Sequence, residues 1–295
     1  MHIKTSFSRK VFVVFNYIFL TLTGFLCLFP FWHLGAISFS NPHAVALGQV
    51  TLWPVDFTTG AYEYILKDGS IVRAFINSFI QVGLGTAVNL LFIVLTAYPL
   101  SRDSRQLFGR NVYMAFFFLT TLISGGMIPG YLVTVKMGLK NSIWALIIPT
   151  ALPVGNMILQ MNFIRNLPKE LEESARIDGA NELQVMWKIL LPLLKPSLAT
   201  VALFCIVRRW NQWMPATLYL DDRNLHPLST YIRSTIVNFQ ALLEGSGEYL
   251  QIVDDLNLET GRAATLFIGA LPVMIVYPFL QKYFTKGLTI GSVKG

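Results

Sequence analysis

The sequence predicts an all-α polytopic membrane protein with six transmembrane helices and one helix-turn-helix loop on the cytoplasmic side. Composition is the first reason: 54% of the 295 residues are hydrophobic and only 13% are charged, with a mean hydropathy of +0.54. A soluble domain carries about 25% charged residues, and so little charge cannot cover so much apolar surface. Composition therefore excludes a soluble domain, and it excludes a disordered chain because so apolar a chain collapses.

Six apolar runs are the second reason, since about 20 apolar residues suffice to cross a bilayer. The first run follows a basic decapeptide, but it is too long for the apolar region of a signal peptide, about 7–15 residues. We therefore expect it to be a transmembrane helix. Glycine and proline pairs predict kinks in the third run (Gly125-Gly126, Pro129-Gly130) and the fourth (Pro149, Pro153). The runs are 11–38, 74–100, 112–135, 142–164, 197–220 and 263–284.

Charge placement is the third reason, and it predicts orientation. Of the 23 Lys and Arg residues, 14 lie in the segments on one side and 6 on the other. Cytoplasmic segments carry the excess of basic residues, so both termini are expected in the cytoplasm. The net charge of +7 then reflects topology, and no nucleic acid partner is implied. The expected organisation is a cytoplasmic arm 1–10, a transmembrane domain 11–284 with outer loops 39–72 and 221–262 and a cytoplasmic loop 165–196, and a cytoplasmic tail 285–295.

Catalytic signatures are missing from the sequence. No G-x-x-x-x-G-K-[ST] phosphate loop, H-E-x-x-H or G-x-S-x-G motif occurs, and the four histidines are scattered without metal-ligand spacing. Cys27 and Cys205 fall inside apolar runs, where we expect small buried residues. No carboxylate pair lies within a run, which argues against a proton-coupled transporter. A non-catalytic membrane subunit is predicted.

Loop 165–196 carries the most local information. Pro168 suits the start of a helix, and Glu172 with Arg176 forms an i,i+4 acid-to-base pair. Gly179 predicts a sharp bend because glycine enters the left-handed conformation without penalty. Asn181 and Gln184 resemble a capping box that opens a second helix. The loop is therefore expected to form two short helices on either side of Gly179.

The second of these helices is expected to lie against the membrane domain and to end at Pro192, because the residue before proline avoids the α region. The first, which carries Ser174 and Ala175, is then left protruding as a docking element. A helix pair that merely packs at the interface is the alternative. The packing stripe has helical spacing and consists of Leu183, Met186, Trp187 and Leu190.

The motif in this loop is specific. Glu173-Ser174-Ala175-x-x-Asp178-Gly179-Ala180, followed by Ile-Leu-Leu-Pro ending at Pro192, resembles the EAA loop of ABC importer permeases, with serine in place of the usual first alanine. Segments 50–66, 77–102 and 138–139, Trp210-Asn211-x-Trp213 and the tail 287–295 are similar to the carbohydrate-uptake permeases. That is the family of the maltose-type inner subunit.

The resemblance implies a type I ABC importer fold in the bacterial inner membrane, with this loop as the coupling helix in a cleft of the ATPase. Glu173 is expected to meet a basic group of that subunit, Ala175 to permit close approach and Gly179 to set the bend. The implied partners are a second permease (a homologue in preference to a second copy), two ABC ATPases that hold ATP and Mg, an external solute-binding protein and a saccharide. The expected coupling residues are Glu172, Glu173, Ser174, Ala175, Asp178, Gly179, Ala180 and Pro192.

The fifth run contains Arg208 and Arg209, on which the resemblance is silent. They lie about 12 residues from its start, roughly 18 Å into a core about 30 Å thick, and each costs on the order of 2.5–3.5 kcal/mol there. Because no run contains an acid to pair with them, we favour a hydrated pathway and hypothesise an anionic, alginate-like saccharide. The alternative is that one arginine pairs with an acid of the partner permease or caps a broken helix.

Trp210, Asn211 and Trp213 complete the expected substrate path, since the two tryptophans are three residues apart and could offer flat faces to sugar rings. An aromatic belt at the membrane surface is the alternative for them. The sequence thus predicts a permease subunit of an ATP-driven importer of oligo- or polysaccharides, with an acidic, alginate-like substrate favoured over the alternatives. Those alternatives are import of neutral oligosaccharides, a self-sufficient secondary transporter or channel, and a membrane enzyme.

Overall fold

The computed structural model of the chain is built from helices and loops in the residues it describes, which are 7–67, 69–244, 259–272 and 274–275. The all-α prediction is confirmed. The chain divides into two compact units, one of Met1–Gly69 with Ser234–Ala270 and the other of Ser70–Arg233 with Leu271–Gly295.

The first unit is dominated by α1 (Phe7–Ser38), which matches the first predicted span. None of its most apolar 18-residue window is buried within the chain. Cys27 is accordingly exposed, not buried as expected. The end of α1 packs on two short helices, α2 (Pro42–Ala46) and α3 (Gly60–Leu66), through a small apolar cluster and the stacked rings of Phe39 and Tyr62. The outer loop 39–72 is thus partly helical.

The second unit begins with α4 (Ser70–Ser101), the second predicted span. The third and fourth predicted spans are each broken where glycine or proline predicted a kink, by 116° and 52° respectively. Gly126 permits the first break with a φ of +83°. The helices that follow α4 are α5 (Arg110–Leu122), α6 (Met127–Lys136), α7 (Trp144–Ile147) with a 3-10 turn (Ile148–Thr150), and α8 (Val154–Arg165).

The loop helices come next: α9 (Glu170–Ile177), α10 (Glu182–Gln184), a π-helical segment (Val185–Leu190) and α11 (Leu191–Leu193). After them lie α12 (Lys195–Trp210), α13 (Met214–Tyr219) and α14 (Leu228–Glu244). The last of these helices lies within the segment 221–262, which was predicted to be an outer loop.

Among the described residues, two helices, α1 and α4, are long and apolar enough to cross a membrane unaided, and up to five crossings result if each bent pair counts as one. The predicted sixth run, 263–284, is helical at 263–272 and 274–275, and its remainder lies outside the described residues. The fifth run is not one continuous helix, because α12 ends at Trp210 and α13 begins only at Met214.

The main core of the second unit joins α4, α8 and α12 to the loop helices. Ile93, Met157 and Val201 bring one fully buried side chain from each of the three long helices, and Val185 and Leu190 add two from the loop. The loop therefore shares its hydrophobic core with the transmembrane helices.

Asn89 of α4 stabilises the break in the fourth span. Proline cannot donate a backbone hydrogen bond, so Pro149 and Pro153 leave nearby carbonyls without helical partners. The Asn89 Nδ2 atom donates to the carbonyls of Thr150 at 2.7 Å and Ala151 at 2.8 Å. Since an unsatisfied backbone group costs several kcal/mol in hydrocarbon, this amide permits the break.

Arg209 completes the arrangement. Its Nε donates to Asn89 Oδ1 at 2.7 Å and its Nη1 to the carbonyl of Leu146 at 3.2 Å, and the residue is only 3% exposed. Gly85 makes room for it, because a Cβ atom there would lie 2.5 Å from three guanidinium atoms. We call Gly85, Asn89 and Arg209 the span clamp. Arg209 thus caps a broken helix, which was the alternative to a hydrated pathway.

Replacing Gly85 with alanine should destabilise the protein. Alanine normally favours a helix over glycine, but here its methyl group would displace the buried guanidinium, and overpacking of this kind costs about 1–3 kcal/mol. Thermal unfolding of the purified protein in detergent measures the effect. Gly83→Ala is the matched control, because nothing lies within 4 Å of a Cβ at Gly83. Equal midpoints for the two variants would contradict the clamp.

Candidate functional site

The predicted coupling loop folds as two helical segments on either side of a sharp bend. The first, α9, begins two residues after Pro168 and carries three glutamates in its first turn. Gly179 has a φ of +82°, as the bend requires. The Ala180 N–H donates to the carbonyl of Ala175 at 2.9 Å and closes the end of α9. The helix-turn-helix prediction is confirmed here.

The second segment opens with the predicted capping box, in which the side chains and backbone N–H groups of Asn181 and Gln184 bond reciprocally. The predicted packing stripe is wrong in part: Leu183 is 63% exposed and Trp187 45% exposed. A π-helical turn follows Gln184, and because it holds more residues per turn than an α-helix, the buried residues beyond it no longer follow the 3.6-residue spacing. The buried residues are Val185, Met186 and Leu190.

Pro192 does not end this segment, contrary to the prediction. Helical backbone continues to Leu193, and the chain then bends by 81° into α12. Leu191 keeps helical backbone angles (φ −57°, ψ −43°) although a proline follows it, so the usual restriction on the residue before proline does not end the helix here.

The predicted coupling residues divide by exposure. Glu173, Ser174, Asp178 and Gly179 are exposed, while Ala180 is half-buried. Ala175 is 5% exposed and belongs to the core, so its small side chain lets α9 lie close to the rest of this chain and does not face outward. Of the predicted coupling residues on α9, the exposed ones are therefore Glu173 and Ser174.

Glu172 also turns inward, into a network of charges. Its carboxylate pairs with Arg102 at the end of α4 and lies 3.9 Å from Arg176. Glu182, beyond the bend, is 2.9 Å from Arg176 and 3.4 Å from Arg102. Tyr98 completes the group by donating its hydroxyl to Glu182 at 2.5 Å. We call these five residues the loop network.

Only Glu172 of the loop network was among the predicted site residues; the other four members, Tyr98, Arg102, Arg176 and Glu182, were not. The segment ending in Tyr98-Pro-Leu-Ser-Arg102 carried the family resemblance, but nothing in the sequence indicates that it meets a loop 70 residues away. Partial burial raises the pKa of Glu182, yet the hydrogen bond from Tyr98 and the charges of Arg176 and Arg102 outweigh it and lower that pKa. Glu182 is therefore ionised at neutral pH.

The two arginines of the fifth span have different surroundings. Arg208 is exposed within the isolated chain, whereas Arg209 is buried in the span clamp with its Nη2 atom unpaired. Both line a cavity of about 10 Å³ together with Asn156 and Gln212, which leaves room for about one water molecule. Among the described residues that line the cavity none is acidic, so neither arginine meets a carboxylate there.

The aromatic residues of the predicted path do not share one helix face. Trp210 is the last residue of α12 and meets Phe79 edge-on at 5.6 Å between ring centroids. Trp213 lies beyond the helix break and stacks under the guanidinium of Arg233 at 3.8 Å. The Asn211 side chain donates to the Val207 carbonyl at 2.9 Å. The structure brings these three residues near the break and not onto a common surface.

Residues 57–290 match the family described as binding-protein-dependent transport system inner membrane component. The polygalacturonan/rhamnogalacturonan transport system permease protein YtcP of Bacillus subtilis (strain 168) is 39% identical over 98% of this chain and 100% of its own length. The melibiose/raffinose/stachyose import permease protein MelC of the same strain is 32% identical over 83% of this chain and 84% of its own length.

A solved structure is similar as well. One chain of a bacterial ABC transporter involved in the import of the acidic polysaccharide alginate superposes with a TM-score of 0.85 at 33% identity, covering 96% of this chain and 100% of that chain. The similarity in sequence and the similarity in fold both extend over nearly the whole of this chain. The chain therefore belongs to the inner membrane components of binding-protein-dependent transport systems and is a permease subunit of a sugar importer of the ABC type.

Proposed function

We propose that this subunit forms half of the translocation path for an acidic saccharide. A homologous permease supplies the other half, two ABC ATPases bind and hydrolyse ATP with Mg, and an external solute-binding protein delivers the substrate. The chain itself carries no catalytic group in this scheme. Both termini lie in the cytoplasm, so the coupling loop faces the ATPases.

The observation that best supports an acidic substrate is the uncompensated positive charge in the fifth span. Arg208 and Arg209 adjoin one small cavity, and neither has a carboxylate partner within the described part of the chain. An arginine within a membrane span is costly unless water or a partner compensates its charge, and the arginine fork suits a carboxylate as that partner. We assign the substrate contact to Arg208, which is exposed, and leave Arg209 in the span clamp.

The relatives support an acidic substrate. YtcP is named for polygalacturonan, and the transporter with the similar structure imports the acidic polysaccharide alginate. MelC, named for melibiose, raffinose and stachyose, favours a neutral oligosaccharide as the second candidate. The identity with MelC is lower and covers less of the chain, so we prefer the acidic substrate.

Arg208→Gln should lower the uptake of an acidic oligosaccharide by about tenfold or more, because a hydrogen bond to a charged group contributes about 1.5–3 kcal/mol. The reconstituted complex is supplied with binding protein already loaded with an oligogalacturonide or with its methyl ester, and initial uptake is measured. The ester lacks the charge, so its uptake should not change. An equal loss of uptake for both substrates, or no loss for either, would overturn the role of Arg208.

Gly179→Pro should abolish co-purification of the ATPases with this subunit. Proline fixes φ near −65°, which is incompatible with the +82° that the bend requires, so α9 can no longer be presented. Gly179→Asn is the matched control and should retain the ATPases, because asparagine tolerates the left-handed region.

Glu173→Lys should weaken the same association without disturbing the fold, because Glu173 is exposed and its charge is expected to face a basic group of the ATPase. Co-purification measures it, and Glu173→Gln serves as the milder comparison. ATPases retained at the wild-type ratio by both Gly179→Pro and Glu173→Lys would remove the docking assignment.

A further inference from the structure

Arg102 is placed where the second span ends and the coupling loop passes. It follows directly on Ser101, the last residue of α4, and its side chain is 12% exposed. The guanidinium pairs with Glu172 on α9 and lies 3.4 Å from Glu182 at the start of α10. One side chain of the second span therefore holds both arms of the loop, on either side of Gly179.

Tyr98 reinforces this attachment from one helical turn earlier. Its ring lies 4.3 Å from the Arg102 guanidinium carbon, and its hydroxyl donates to the same Glu182 carboxylate. The aromatic face favours the cation and restricts the rotamers that Arg102 can adopt. Two successive turns of α4 thus contact one carboxylate of the loop.

Arg176 balances the charges from the loop side. It approaches Glu182 at 2.9 Å and Glu172 at 3.9 Å, so two arginines alternate with two glutamates. An exposed ion pair contributes little, but the Arg102 and Glu172 side chains are each 12% exposed, where the loss of one partner leaves a buried charge. Separating these charges would leave a buried charge without its partner, so we expect the loop network to remain intact when the loop moves.

Directional bonds fix the position of the loop in a way that its apolar packing does not. The contacts of Val185 and Leu190 with the core are non-directional, so they tolerate small sliding of one helix on another. A guanidinium that bonds carboxylates on two helices fixes distance and angle together. The network is thus the rigid part of the attachment between loop and span.

We propose that Arg102 is a positioning residue that makes the coupling loop and the second span move as one body. When a partner subunit displaces α9, Arg102 moves the end of α4, and α4 carries Asn89 about 20 Å away. Asn89 bonds both the break in the fourth span and Arg209, so the displacement reaches the span clamp beside Arg208. This inference rests on the proposed coupling to ATPases.

The test is the number of substrate molecules transported per ATP hydrolysed by the reconstituted complex. Arg102→Met keeps the length of the side chain and removes its charge. We expect the ATPases to co-purify and hydrolysis to continue, while the transport ratio falls about fivefold or more. Arg102→Lys, which keeps the charge without the fork, should recover part of the ratio. Arg105→Met is the matched control. Arg105 is exposed in the same segment after α4 as Arg102, and its replacement should leave the transport ratio unchanged.

A double-variant comparison guards against a general loss of stability. If Arg102 and Glu172 act as a pair, Arg102→Met combined with Glu172→Gln should be no worse than Arg102→Met alone. An unchanged transport ratio in Arg102→Met, loss of the ATPases from that variant, or additive effects in the double variant would each overturn the proposal. A wild-type complex that binds no ATPase would instead refute the proposed function.

Discussion

The requirement that every polar group within a bilayer find a partner governs this structure. The fourth span is broken by two prolines, and the carbonyls released at the break accept hydrogen bonds from Asn89 and Arg209. Those donors come from the second and fifth spans. The defect in one helix therefore ties three helices together, and the close approach at Gly85 exists to admit the guanidinium that does so.

The second span consequently has two roles along one helix. Near its middle it supplies two of the three residues of the span clamp, and at its C-terminal end it supplies Tyr98 and Arg102 to the loop network. Between these points its buried face forms the main core with α8 and α12. A helix of 32 residues is well suited to this arrangement, because one helical backbone connects both ends, with a single missing hydrogen bond at Pro99, which has no N–H to donate.

Local signals in the sequence predicted the local structure well. The bend at Gly179, the capping box of Asn181 and the kinks of the third and fourth spans depend on a few neighbouring residues, and all are present. The predictions failed where contacts between residues far apart in the sequence determine the structure. Ala175 is small because it is buried against its own chain, and Arg209 finds Asn89 120 residues away. Neither contact is encoded in spacing along one segment.

The errors at Leu183 and Trp187 have a different origin, since helical periodicity was assumed where one turn is wider. A π turn accommodates one residue more than an α turn, and no residue type in Val185–Leu190 announces it. The different surroundings of Arg208 and Arg209 could not be predicted either, because hydropathy does not distinguish two adjacent arginines in the same helix.

The π turn also sets the phase of the helical backbone that directly follows it. Each residue in an α-helix turns the chain by about 100°, so the extra residue in Val185–Leu190 fixes which side of α11 faces the core. Were that turn one residue shorter, Leu191–Leu193 would be rotated by about that angle before the chain bends by 81° into α12. The direction in which the loop enters the fifth span thus depends on a single additional residue in the turn before it.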